Sequence, residues 1–222
     1  MDVCVVLYRC DAGRVEAGLR PGDRLLVVDN TDDNRGFAAG SNRAAALGCG
    51  ELICFVNPDA DLTQGCLERL ERALDDPALV AAGPDLGTMN PPLLGDGSPS
   101  FLSGCCLAVR RSAFDRVGGF DERFFMYGED VDLSWKLRRL GGLVRVADAG
   151  FAHDRSETSA RFVSLHRTFR HHLVVMRRHR GAAGVERMLR DSFFSLRQRR
   201  LRQGAARLTG TADYLFRARR WV

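Results

Sequence analysis

Over its first 160 residues the chain alternates short apolar runs with helix-patterned stretches, and few folds accommodate that alternation. Val3–Tyr8 (VCVVLY), Leu25–Asp29 (LLVVD) and Leu52–Asn57 (LICFVN) are short, β-branched and bounded by turn residues, so they read as buried strands. Between them lie the alanine-rich Phe37–Leu47 and then Thr63–Leu74, where Cys66, Leu67, Leu70 and Leu74 recur at helical spacing. Such alternation predicts βαβ units: an α/β fold with a mostly parallel sheet and helices on both faces. Further strands are predicted at Leu79–Gly83, Cys105–Val109 and Leu143–Ala147, and a helix at Ser134–Leu140. The stretch 83–100 carries four of the seven prolines and four glycines, and reads as a long surface loop.

Charge divides the chain in two. Residues 1–160 hold 17 Lys+Arg against 25 Asp+Glu, a balance of −8, whereas residues 161–222 hold 16 against 3, or +13, all of it arginine. This predicts two parts, 1–160 and an Arg-rich helical extension, 161–222. In the extension Phe162, Leu165, Phe169, Leu173 and Met176 form one apolar stripe, and Val185, Met188, Leu189, Phe193 and Leu196 a second. Gly181–Gly184 separates the two. The extension admits three readings: a solvated helical bundle packing its apolar stripe on the catalytic domain, a peripheral helix on an anionic membrane surface, or nucleic-acid binding. The last is disfavoured, since no recognition motif accompanies the arginines. No run approaches the ~20 apolar residues of a membrane span. The acidic, short Met1–Tyr8 lacks the basic flank of a signal peptide, so the expectation is a cytoplasmic protein, with the inner face of the plasma membrane open to the tail. The seven cysteines show no CxxC spacing and predict free, buried thiols rather than a metal site or a disulfide framework.

In an open α/β sheet, ligands sit at the carboxyl ends of the strands. Tyr8 ends the first predicted strand, Asp29-Asn30 the second, and Asn57-Pro58-Asp59-Ala60-Asp61 follows the third. Asp and Asn gathered there suit a hydroxyl-rich ligand or a hard cation such as Mg2+ or Mn2+. The same residues also make good turns. A second cluster, Glu129, Asp130 and Asp132, follows the aromatic run Phe124-Phe125-Met126-Tyr127. Carboxylates this close raise one another's pKa, and one of them is a plausible general base. The cluster also suits a helix N-terminus, where acidic side chains are favoured by the dipole, and the two roles are compatible.

Taken in order, these elements resemble the family 2 glycosyltransferases with the GT-A fold, especially their bacterial rhamnosyltransferase-like branch. The matching segments are 25–30 (LLVVDN), 34–42 (NRGFAAGSN), 55–60 (FVNPDA), 103–111 (SGCCLAVRR), 118–133 and His153. The resemblance covers about residues 3–160. It implies a GT-A fold and transfer of a sugar from a nucleotide-diphosphate donor to a hydroxyl acceptor, with inversion and a divalent metal, Mn2+ or Mg2+. On it, Asp29 contacts the nucleobase with Tyr8 and Asn30 beside it, and Asn42, Arg43 and Asn57 help hold the nucleotide sugar. Asp59 is implied as metal ligand, with Asn57 in place of the first carboxylate of the family's Asp-x-Asp motif and His153 as a further metal or phosphate ligand. Asp130 is implied as catalytic base with Glu129 as its partner, and Gly104 and Trp135 lie on the acceptor side. The acceptor is a saccharide, a lipid-linked saccharide or a small molecule.

One departure stands out. In the family a helix and a strand usually separate the Asp-Asn pair from the Asn-x-Gly-Phe element, but here only Thr31-Asp32-Asp33 do. The expectation is a catalytic domain trimmed by about one βα unit. Two alternatives stay open: a nucleotidyltransferase, for which 10–14 (CDAGR) is a poor glycine-rich loop, and an inactive relative that binds a nucleotide sugar or an anionic surface.

Overall fold

The structure, a computed structural model, describes residues 1–63, 65–153, 162–197 and 201–217, without the side chains of 153, 162–164, 191–197, 201–204 and 217. The elements in chain order are β1 (Asp2–Leu7), α1 (Gly13–Glu16), β2 (Arg24–Asp29), α2 (Gly36–Ala46), β3 (Leu52–Val56), β4 (Ala60–Leu62), α3 (Cys66–Ala73) and β5 (Leu79–Pro84). There follow β6 (Cys106–Arg110), α4 (Arg111–Arg116), α5 (Glu129–Leu137), β7 (Gly142–Val146), β8 (Phe151–His153), α6 (Phe162–Arg197) and α7 (Leu201–Arg217). The contacts divide the chain into two units. One comprises Met1–Phe125 and Glu129–Asp154, the other Met126–Gly128 and Arg155–Val222.

The first unit is a six-stranded sheet in the order β2-β1-β3-β6-β5-β7. β1 pairs in parallel with β2 and β3, β5 in parallel with β7, and β6 runs antiparallel between β3 and β5. All six strands read from the sequence are present, and the sheet is mostly parallel as expected.

Strand periodicity explains the two-sided core. In β3, Ile53 and Phe55 face one layer and Cys54 and Val56 the other, and β6 divides likewise into Leu107 and Val109 against Cys106 and Ala108. On one face α2, α4 and α5 close over the sheet with Ala38, Ala44, Phe114, Leu133 and Leu137. On the other, α3 brings Cys66, Leu67 and Leu70. Each such Leu or Phe contributes roughly 1.5–3 kcal/mol by leaving water. Phe120 joins Phe55 and Phe114 in an aromatic cluster, with ring centroids 4.9 and 5.8 Å away. That cluster secures the loop leading to α5.

At the amino edge of β1, buried Asp2 accepts from Arg24 Nε at 2.8 Å, Arg111 Nη2 at 2.7 Å and the Gly50 N–H at 2.7 Å. Burial pushes the Asp2 pKa up, but the Gly50 N–H and the two guanidiniums outweigh it and hold the carboxyl below its usual 3.8. One buried charge thus ties the starts of β1, β2 and α4 together.

Some expectations need correction. The turn after β3 does not stay a loop: residues 60–62 form β4, which pairs antiparallel with β8 in a separate two-stranded sheet. Two three-residue strands this short leave no readable periodicity. The helix expected from Thr63 begins at Cys66, behind Gly65 in the left-handed region at φ 80°. All seven cysteines are free, but Cys10 and Cys49 are exposed and Cys105 only half-buried, because all three lie in connecting segments rather than in elements that face the core.

In the second unit α6 packs on α7. The helix is interrupted at Gly181, with φ 64° and ψ −155°, within the Gly181–Gly184 segment that divides the two apolar stripes. Phe169 and Leu173 of the first stripe are buried. Arg207 of α7 lies over the Phe169 ring, 5.8 Å from its centroid, and a Cβ on Gly210 would meet that ring at 3.3 Å. This part of the stripe therefore packs within the helical unit, against α7. Among the described residues no helix is long and apolar enough to cross a membrane.

Candidate active site

The carboxyl ends of β2, β1 and β3 are neighbours at one edge of the sheet. There the chain makes successive turns. Asp29, the last residue of β2, sits opposite Leu7 of β1. Its carboxylate is exposed and accepts the Thr31 N–H at 2.7 Å. Hydrogen bonds from the Thr31 hydroxyl and N–H hold the Asp29 pKa below its usual value, so it is ionised at neutral pH. The Arg9 N–H donates to Thr31 Oγ1 at 3.1 Å, joining the end of β1 to this turn. Tyr8 beside it is 48% exposed, with the Arg9 guanidinium 5.3 Å from its ring centroid.

Asn30 is buried and its N–H donates to Leu7 O at 2.9 Å, while its Nδ2 donates to Gly36 O at 3.0 Å. That second bond folds the short 31–35 segment directly onto the start of α2. Gly36 has φ 89°, and a Cβ there would run into the Phe125 carbonyl, so the position admits only glycine. The Phe125 carbonyl accepts from the Phe37 N–H at 2.8 Å. Asn42 is engaged at both ends of its amide by Phe120: Nδ2 donates to the carbonyl at 2.9 Å, and Oδ1 accepts from the N–H at 3.0 Å. It clamps α2 to the loop before α5. Arg43 is exposed, about 10 Å along the helix axis from Gly36.

Past β3, Asn57-Pro58-Asp59 makes a turn closed by the Ala60 N–H donating to Asn57 O at 3.1 Å. The Asp59 carbonyl accepts from Arg14 Nη1 at 3.4 Å, and Arg14 also pairs with Asp61 at 3.5 Å. Arg14 lies on α1, an element the sequence patterning does not reveal because one helical turn shows no periodicity. The β4–β8 register sets the His153 backbone opposite Ala60, the residue after Asp59, across more than ninety residues of chain. The His153 side chain lies outside the described residues. Among the described residues no group of three or more His, Cys, Asp or Glu could hold a metal ion. The side-chain donors this turn offers are the Asp59 carboxylate and the Asn57 amide. That set fits Mg2+ or Mn2+, which is often bound through one or two carboxylates plus substrate phosphates.

The peptide segment before β6 links this turn to the carboxylate pair. The Cys105 carbonyl accepts from the Asn57 N–H at 2.9 Å. The adjacent Gly104 N–H donates to Asp130 Oδ2 at 3.1 Å. Gly104 is buried, and a Cβ there would lie 3.3 Å from the Phe37 ring and 3.5 Å from Asp130 Cβ. Asp130 Oδ1 accepts from the Val131 N–H at 2.9 Å in the first turn of α5. Two N–H donors thus stabilise the ionised form of this carboxylate.

Glu129 differs from its neighbour. It is 6% exposed, and its Oε2 has no hydrogen-bond partner. Burial first, and then the Asp130 charge, push its pKa well above the usual 4.5. Burial and the neighbouring charge thus favour the neutral form of Glu129, whereas the two N–H donors favour the ionised form of Asp130. Asp132 is fully buried and lies 3.5 Å from Lys136 Nζ, which donates to Gly119 O at 2.6 Å. The Trp135 indole donates to Ser100 O at 3.1 Å, and Ser134 Oγ accepts from the Leu102 N–H at 3.0 Å. α5 thus anchors the 100–102 segment that delivers Gly104.

The profile of glycosyl transferase family group 2 matches residues 93–221, more than half of the chain and including α5 with its carboxylate pair. The chain belongs to this family. A mycobacterial relative, the N-acetylglucosaminyl-diphospho-decaprenol L-rhamnosyltransferase of Mycobacterium tuberculosis, is 50% identical over 72 residues, 32% of this chain and 24% of the relative. The pre-mycofactocin glycosyltransferase of the same species is 29% identical over 144 residues, 54% of this chain and 30% of the relative. These matches span under a third of the relatives' length. Among solved structures, a mannosyltransferase of Pyrobaculum calidifontis in complex with GDP-Man and Mn2+ superposes with a TM-score of 0.65 at 15% identity. That likeness covers 98% of this chain and 74% of the other, and shows the GT-A fold. The family's sheet is thus present here with a bare six-residue link, Asn30–Arg35, between β2 and α2.

Proposed function

We propose that this family member is an inverting, divalent-metal-dependent glycosyltransferase that moves a sugar from a nucleotide-diphosphate donor to a hydroxyl acceptor. The observation that carries the reading is the Asp130 carboxylate, held by the Gly104 and Val131 N–H groups one peptide away from the Asn57-Pro58-Asp59 turn. A base and a diphosphate-side carboxylate at one sheet edge are what single displacement requires.

In that reading Asp130 takes the proton of the acceptor hydroxyl as its oxygen bonds to the anomeric carbon. The bond from that carbon to the diphosphate oxygen breaks, and the nucleoside diphosphate leaves. Glu129, whose burial favours its neutral form, limits the negative charge beside the base and aids its orientation. Asp59, with Asn57 and His153, would hold the divalent ion, which supplies Lewis-acid neutralisation of the leaving diphosphate. Asp29 and Tyr8 border the nucleobase, and Asn30 shapes the turn beneath it. Asn42 and Arg43 serve the nucleotide side by fixing and flanking α2. Gly104 and Trp135 form the acceptor side, one by holding Asp130 and the other by pinning the loop before it.

A lipid-linked saccharide is the acceptor we favour. The rhamnosyltransferase relative is named for a decaprenol diphosphate acceptor. The +13 balance of residues 161–222 suits an anionic membrane surface, and α7 leaves Leu208, Leu215 and Phe216 exposed on one face. Anionic vesicles should bind the protein and release it with salt. Equal binding to neutral vesicles would contradict this.

A thermal-shift panel of nucleotide sugars with Mn2+ tests the main reading. A donor at a hundred times its Kd should add about 2.7 kcal/mol of stability, followed by metal-dependent transfer or hydrolysis. No shift with any donor would refute it. Binding without turnover would make the chain a nucleotide-sugar binding protein instead.

A further inference from the structure

We infer that His171 of α6 is a positioning residue for the carboxylate pair, holding the Met126–Tyr127–Gly128 turn from which Glu129 and Asp130 emerge. The inference rests on the reading of Asp130 as the base. By its contacts this three-residue turn belongs to the helical unit, although the sheet unit resumes at Glu129. The chain therefore enters its catalytic helix directly from a segment held elsewhere.

The turn needs holding. Tyr127 has φ 71° and Gly128 φ 95°, two consecutive left-handed residues just before α5. A tyrosine in that region is strained and persists only where its surroundings fix it. His171 supplies the fixing. Its Nδ1 lies 2.6 Å from Tyr127 O and 3.1 Å from Met126 O. Two carbonyls can only accept, so Nδ1 carries the proton and donates. The other ring nitrogen, Nε2, lies 2.7 Å from Arg170 Nη2 and must accept, because a guanidinium only donates. The tautomer is thereby set by its partners at both ends.

The arrangement continues along α6 and α7. Arg170 Nη1 pairs with Asp213 at 2.8 Å, so the guanidinium facing His171 is itself fixed. His171 is fully buried, and burial pushes its pKa down to about 4, so the imidazole stays neutral at physiological pH. Its Cβ lies 2.9 Å from where a Gly128 Cβ would stand, which with the positive φ requires glycine there. A buried neutral histidine bonded to two backbone carbonyls of a strained turn is a rigid support. Any slack would pass along two residues of chain to Asp130. A misplacement of about 1 Å in a reacting group costs on the order of a hundredfold in rate.

The experiment compares His171→Asn with His171→Gln in the full chain. Asparagine keeps a donor near the Nδ1 position. Glutamine is polar and of similar size, but its amide lies near Nε2, so the turn loses its donor. Amide hydrogen exchange is read at Val131 and Gly104, whose N–H groups bond Asp130, against Val56 and Cys106 in the central sheet. In His171→Gln, exchange at Val131 and Gly104 should accelerate about tenfold while the sheet amides stay unchanged, and His171→Asn should match wild type. In a transfer assay His171→Gln should lower kcat about tenfold with the donor KM unchanged. Unaltered exchange at Val131 and Gly104 in the glutamine variant, or equal acceleration in both variants, would overturn the inference. If exchange responds as expected but Asp130→Asn transfers sugar normally, it is the base reading that fails, not the support by His171.

Discussion

The Gly104 N–H donates to Asp130 Oδ2 at 3.1 Å across 26 residues of chain. This bond fixes the carboxylate from outside its own helix, and the neighbouring Cys105 carbonyl receives the Asn57 N–H. The two acidic elements of the site therefore share one rigid peptide segment, and the consequences can be measured residue by residue.

Asp130→Asn retains the size of the side chain and an oxygen to accept one of its two N–H bonds, but it cannot take a proton. Loss of a general base costs on the order of 10²–10⁴ in rate. We expect kcat to fall in that range with donor affinity nearly unchanged, and the product to have the anomeric configuration opposite to the donor's. Wild-type turnover, or retention of configuration, would remove Asp130 from this role.

Glu129→Gln replaces a buried acid with an amide that cannot ionise. The folded-state pKa of Glu129 is raised, so the wild-type contribution is fullest below pH 4.5 and declines as pH rises through the folded value. The glutamine variant should escape that decline. Its melting temperature should equal or exceed wild type at alkaline pH, and its kcat should fall less than that of Asp130→Asn. A melting temperature that drops equally at every pH would show that Glu129 is ionised in the fold.

Asp59→Ala should abolish the Mn2+- or Mg2+-dependent part of nucleoside diphosphate binding while leaving the fold intact, since the residue lies on a turn. Titration calorimetry with and without metal reads this directly. His153→Ala should give a smaller loss. Equal, metal-sensitive affinity in wild type and the Asp59 variant would place the ion elsewhere.

Asp2→Asn removes a buried charge from between Arg24 and Arg111. Breaking one side of such a cluster costs about 3 kcal/mol, or roughly 10 °C in Tm for a chain of this size. The folded Asp2 pKa is lowered, so its stabilisation is present above pH 3.8 and is lost as pH falls through the folded value. Acid titration of wild type and variant should converge below that point. A constant difference down to pH 2 would assign the stabilisation to packing rather than charge.

The order of elements was legible in the chain because strand and helix periods are local properties. Val3–Tyr8, Leu25–Asp29 and Leu52–Asn57 announce strands by composition alone, and the alternation with Phe37–Leu47 and Thr63–Leu74 predicts a mostly parallel sheet. The candidate site residues were named from the same pattern, since Asp and Asn collect where such strands end. What lay beyond the sequence was which distant groups touch. That Gly104 holds Asp130, that β8 brings His153 level with Ala60, and that His171 supports the Tyr127 turn are each set by hydrogen bonds across 26 to 93 residues. The different surroundings of Glu129 and Asp130 are decided in the same way. The two are adjacent and chemically alike, and only burial of one and donor N–H groups at the other separate them. Propensity and spacing are properties of neighbours in the chain, whereas solvation and pairing belong to neighbours in space.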